Sequence, residues 1–160
     1  MKTKYASVKH KWFSRVAEIA RRRLDELKDE MEQISSLIEE IKSRLASIGG
    51  VFEFDPGDPY AYEITLEVRR PVPARVHYVK ELGGDRYDYA IEFDCSGYSV
   101  GQCRDLENAI LEEFWNQVDG AVGELLEELE RRADKVFEIK DLRKLIAIVE
   151  DELMKLGDDW

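Results

Sequence analysis

Residues 24–48, LDELKDEMEQISSLIEEIKSRLASI, decide the fold. Leu24, Leu27, Met31, Ile34, Ile38, Ile41, Leu45 and Ile48 recur at steps of three and four, which places them on one face of an α-helix. The same register runs backwards through Ala20, Ala17 and Phe13, so the spacing predicts one long helix over residues 8–48. Gly49 and Gly50 end it, because glycine accepts the left-handed conformation that closes a helix. Trp12, Val16 and Ile19 form a second apolar stripe at the N-terminal end, and a helix with two such stripes is expected to touch two neighbours.

A second copy of the same seam, packed in parallel, is a poor partner for it. Such a pair would set Arg23 against Lys28 with no attractive pair in compensation, and leucine and isoleucine alternate in an order that disfavours two strands. A later helix of the chain, residues 104–135, fits better. Its Leu111, Trp115, Val118, Val122, Leu125 and Leu129 face the first helix layer by layer, from Leu45 with Leu111 through Ile38 with Val118 to Leu27 with Leu129. Ala20 with Val136 and Ala17 with Ile139 extend the antiparallel pairing, which gives a coiled-coil-like hairpin.

Between the two arms the period changes from 3.6 to two. Tyr60, Tyr62, Ile64, Leu66 and Val68 alternate with polar residues, as do Tyr87, Tyr89, Ile91, Phe93 and Cys95, and each alternation reads as a half-buried strand. With VFEF at 51–54 and a strand near 74–82, they make a four-stranded antiparallel β-meander over residues 51–95. DPGDP at 55–59 and Gly83-Gly84 supply turns, and the prolines of RRPVP belong to a loop or a sheet edge. A last helix, residues 141–156 with Asp141 as its cap, is expected to cover Trp12, Val16 and Ile19 and complete a three-helix base. The fold class is therefore α+β. In layout alone, the helix, sheet, helix order is similar to that of prefoldin subunits, without that family's sequence pattern and with an additional C-terminal helix.

Composition bounds the function. The chain has 160 residues, 44% of them hydrophobic, enough for one ordinary core and a single domain over residues 1–160. Charged residues make up 37%, and Cys and Met are few, a bias of proteins from hot environments. No apolar run has the length of a membrane span, and the expected location is cytoplasmic. The net charge of -11 hides a basic N-terminal arm with Lys9, Lys11, Arg15, Arg21, Arg22 and Arg23, which is the candidate surface for nucleic acid. Its simpler role is to pair with the chain's own carboxylates.

Two further groups carry chemistry-bearing residues. Alternation places His77 and Arg75 on the outer sheet face with Glu63, Glu67, Asp88 and Glu92, where a histidine among carboxylates could act as a base or bind a metal, or simply form cross-strand ion pairs. Cys95 and Cys103 read as small buried hydrophobes or as a local disulfide, and without neighbouring histidines they do not form a zinc motif. No complete catalytic or phosphate-binding motif is present, and no cofactor is expected. The sequence thus points to a non-enzymatic interaction or scaffold protein whose partner is a protein, either another chain or a second copy. A nucleic-acid-binding protein acting through the arm is the alternative.

Overall fold

The computed structural model describes residues 4–55 and 58–157. The expected α+β fold is present: four helices lie N- and C-terminal to a four-stranded antiparallel sheet. The long first helix is in two pieces, α1 (Lys4–Glu26) and α2 (Lys28–Ser47), with Leu27 between them. The interruption is slight. Leu27 N–H donates to both Arg23 O (3.1 Å) and Leu24 O (3.0 Å), and Met31 N–H returns to Leu27 O at 2.9 Å, so the ladder tightens for one residue and resumes. Gly49, with φ of 80°, ends α2 as its position foretold, and Gly50 N–H closes back onto Leu45 O at 2.7 Å.

The strands are β1 (Val51–Asp55), β2 (Asp58–Val68), β3 (Ala74–Glu81) and β4 (Tyr87–Phe93), each paired antiparallel with the next in chain order. The expected turn at 55–59 has its centre, Pro56 and Gly57, outside the described residues. Phe52, Phe54, Tyr62, Ile64, Leu66, Val68, Val76 and Tyr78 are buried on one face, which is the alternation the sequence displays.

The third helix, α3 (Val100–Arg131), begins four residues before the expected start. Ser99 caps it: Gln102 N–H donates to Ser99 Oγ (3.2 Å), and Ser99 N–H donates to Gln102 Oε1 (2.9 Å). The last helix, α4 (Ala133–Gly157), begins eight residues before the expected cap, Asp141, which is an exposed position within it. Arg132 is the only residue between α3 and α4, because Val136 and Ile139 are buried helical positions rather than parts of a linker.

The chain divides into two compact units. A helical unit takes the chain up to Gln33 and from Asp134 onward, and a sheet unit spans Ile34–Ala133. In the sheet unit α3 lies against the inner sheet face. The rings of Phe114 and Trp115 meet Tyr78 edge-on, at 6.2 Å and 4.8 Å between centroids. Its fully buried positions are Ile110, Phe114, Val118, Val122 and Leu129, so Ile110 and Phe114 take the inward places expected of Leu111 and Trp115. On α2, Leu37 is buried where Ile38 was expected. The expected layers are also displaced. Ile48 and Arg44 line a groove with Gln117, Gly120 and Ala121, about two turns further along α3 than the pairing of Leu45 with Leu111 would place them.

In the helical unit α1 runs beside α4. Ala17, Ala20, Val136, Ile139 and Val149 are buried there, and Ala20 shares a groove with Leu142 and Leu145 instead of facing Val136. Trp12 is 59% exposed and Ile19 52%, so the last helix does not enclose the stripe it was expected to cover.

Candidate functional site

The outer sheet face is a grid whose rows follow from strand register. Glu67, Arg75 and Glu92 form one row, Val51, Thr65, His77 and Ala90 the next, and Glu53, Glu63, Val79 and Asp88 the third. Arg75 donates to Glu67 Oε1 through Nη2 (2.7 Å) and Nε (3.3 Å), which raises its already high pKa. The His77 ring lies between two diagonal neighbours, with Nδ1 3.7 Å from Glu63 and Nε2 3.6 Å from Glu92, and with Thr65 Oγ1 3.2 Å from Nδ1. Asp88 is set apart, opposite Val79, and its carboxylate accepts from Tyr89 N–H at 2.9 Å. Five of the six residues singled out on this face thus meet in pairs. Their arrangement is that of cross-strand ion pairing, and no group of three or more His, Cys, Asp or Glu among the described residues is placed to hold a metal.

Beside this face lies an open cleft of about 1030 Å³, with Arg69, Arg70 and Arg75 on its walls together with Glu67, Glu92 and Glu113. Its charges cancel.

Arg21, Arg22 and Arg23 of the basic arm are engaged with the chain's own acids. Arg21 pairs with Glu150, and Arg22 with Glu18 at 2.9 Å. Arg23 donates to both oxygens of Glu138 (2.7 and 3.0 Å) and to Glu26 (3.0 Å). That fork raises the pKa of Arg23 and holds the Glu138 carboxyl below the usual carboxylate range. Lys9 stands over the ring of Phe13 at 5.6 Å, while Lys11 and Arg15 are exposed.

The arm's helix also leaves an apolar stripe open. Val8, Trp12 and Ile19, with half-buried Val16, recur at steps of three and four along the side of α1 next to the one that meets α4. In α4, Leu145 and Ile148 are exposed, Ile148 to 53%. Val16, Ile19 and Ala20 of α1 and Leu142 and Leu145 of α4 line a shared groove of about 470 Å³. Leu142 and Leu145 also line an adjoining hollow with Phe137. Sequence spacing showed the second stripe on α1. It did not show Leu145 and Ile148, which fall outside the register of Ile139, Leu142, Ile146, Val149 and Leu153.

Other polar groups serve the fold. Lys80 projects from the inner sheet face to Glu130 at the end of α3 (2.7 Å), and its ammonium also donates to Glu81 O and Gly84 O at 2.9 Å. Tyr62 and Tyr78 are buried in the aromatic cluster, and burial pushes the Tyr78 phenol up to about 12. Trp115 Nε1–H donates to Tyr89 Oη at 2.8 Å. Cys95 and Cys103 form a disulfide that ties the end of β4 to the first turn of α3, and Cys95 is half-buried rather than a core hydrophobe. Compared with models of protein families, with curated proteins and with solved structures, the chain matches none.

Proposed function

We propose that this chain is a non-enzymatic interaction protein that holds a protein partner on the apolar flank of the α1–α4 pair. The observation that carries this reading is the exposure of Trp12 and Ile19 beside a groove lined by Leu142 and Leu145. At 59% and 52% exposure, Trp12 and Ile19 each forgo about half of the roughly 1.5–3 kcal/mol that full burial of a large apolar side chain releases, and a partner that covers them recovers it. Contiguous apolar surface rimmed by charge is the usual mark of a protein interface. The outer sheet face supports a rival surface less well, since Arg75 already meets Glu67 there and His77 lies between Glu63 and Glu92.

Site-specific photo-crosslinking in the native cell tests the reading. A photoreactive residue at position 12 or 19 is expected to capture a protein, and one at position 77 on the sheet face is not. Capture from position 77 alone would overturn the assignment. Capture of RNA or DNA from positions 11 and 15 would favour the arm as a nucleic-acid surface.

A further inference from the structure

The partner's chemistry can be taken further, on the footing of the proposed flank. We infer that the flank is the interface between two copies of this chain, related by a two-fold axis parallel to the helices, so that α1 of each copy lies on α4 of the other. Three observations support a second copy over an unrelated chain. An antiparallel pair of helices covers one stripe on each helix, whereas the apolar arc of α1 runs from Phe13, Ala17 and Ala20 round to Val8, Trp12 and Ile19. Two pairs face to face, as a four-helix bundle, are a small closed arrangement that covers both stripes.

The second observation is charge. Residues 8–15 of α1 hold Lys9, Lys11 and Arg15 and no acidic residue, whereas the end of α4 holds Glu150, Asp151 and Glu152 against Lys155. Because α1 and α4 run antiparallel, with Ala20 level with Leu142 and Leu145, the basic and acidic segments belong to the same end of the pair. The flank is therefore self-complementary in sign. A two-fold along the helices keeps each end with its like and sets the basic α1 over the acidic end of the second copy's α4. A two-fold across the helices would set α1 on α1 and bring basic residues together.

The third observation is register. The bridges of Arg23 with Glu138 and of Arg21 with Glu150 bracket the register and set Arg15 level with residues 146–156, so the exposed guanidinium of Arg15 would meet Glu152 of the second copy. The two-fold makes this contact twice. An isologous interface of this kind closes on itself and stops at a dimer.

Sedimentation of the full chain tests the inference. The wild type is expected to reach the mass of a dimer with rising concentration. Ile19→Glu is expected to remain a monomer with an unchanged circular dichroism spectrum and melting curve at low concentration. Arg15→Glu and Glu152→Arg should each weaken the dimer about tenfold, since each makes both symmetry-related contacts repulsive. An equimolar mixture of the two variants should form a heterodimer of wild-type affinity, because both contacts then join opposite charges. A gain in affinity for Arg15→Glu alone would show α1 on α1 and overturn the arrangement. A monomer mass for the wild type up to roughly 1 mM would overturn the second copy as occupant. In that case, capture of a different protein from position 19 would leave the proposed function standing, and capture of nothing would remove both.

Discussion

Lys80 and Glu130 are fifty residues apart, yet the ammonium and the carboxylate meet at 2.7 Å, and Glu130 Oε2 accepts from Gly83 N–H at 2.7 Å. The bridge fastens the β3–β4 hairpin to the last turn of α3. Replacing Glu130 with Met leaves the Lys80 charge with two carbonyl acceptors and no counter-ion. A fully buried pair broken on one side costs about 3–5 kcal/mol. Here the two side chains are 20% and 26% exposed, so water reaches both ends. The expected loss is therefore about 2 kcal/mol, the range of one charge-assisted hydrogen bond and its ion pair. Lys80→Met should cost about the same, since its methylene stem is retained and the Glu130 carboxylate is stranded in turn. The double variant removes both charges together and should lose about 2 kcal/mol rather than about 4, a coupling of about 2 kcal/mol. Urea unfolding of the four proteins measures it, with unchanged m-values as the check that the transition is comparable. Strictly additive losses would refute the bridge as a cooperative unit, and losses below about 0.5 kcal/mol for each single variant would place it with ordinary surface pairs.

Three other perturbations have defined outcomes. The Cys95–Cys103 disulfide closes a separation of eight residues, so Cys103→Ser, or reduction of the wild type, should cost about 2.5 kcal/mol by loop entropy, seen as a reductant-dependent melting temperature in the wild type alone. Ile110→Ala should destabilise by about 2–5 kcal/mol and Leu111→Ala by clearly less, because Ile110 is fully buried and Leu111 only partly; equal losses in denaturant melts would contradict the inward face assigned to α3. Arg23 holds the Glu138 carboxyl below its ordinary range. A depressed folded-state value contributes stability above the unfolded pKa of about 4.3, which is lost as pH falls through the folded value. An NMR titration should therefore show Glu138 titrating low in the wild type and returning toward about 4.3 in Arg23→Gln.

The sequence by itself determined the element types and their order. Periods of 3.6 and two are written locally, and Gly49 and Gly83 punctuate them; the Ser99–Gln102 capping pair, which apolar spacing does not show, starts α3 four residues before the expected 104. It also determined which sheet face is polar, because strand alternation admits only two choices and the apolar set marks the inner one. Tertiary structure decided which helix lies against which. Heptad-like stripes slide by whole turns with little change in their apolar match, so the layers of Leu45 with Leu111 and Ala20 with Val136 looked as good as the ones formed. On α3 the need to meet Tyr78 of the sheet turned Ile110 and Phe114 inward, which no helical spacing could show. The uncovered flank was invisible for the same reason. Trp12 and Ile19 read as core because they are apolar and regularly spaced, and their exposure depends on α4 occupying the neighbouring stripe, a fact of packing between segments more than a hundred residues apart. Likewise Arg21 and Arg23 are charges in the sequence and pair with Glu150 and Glu138 only when α4 is brought beside them.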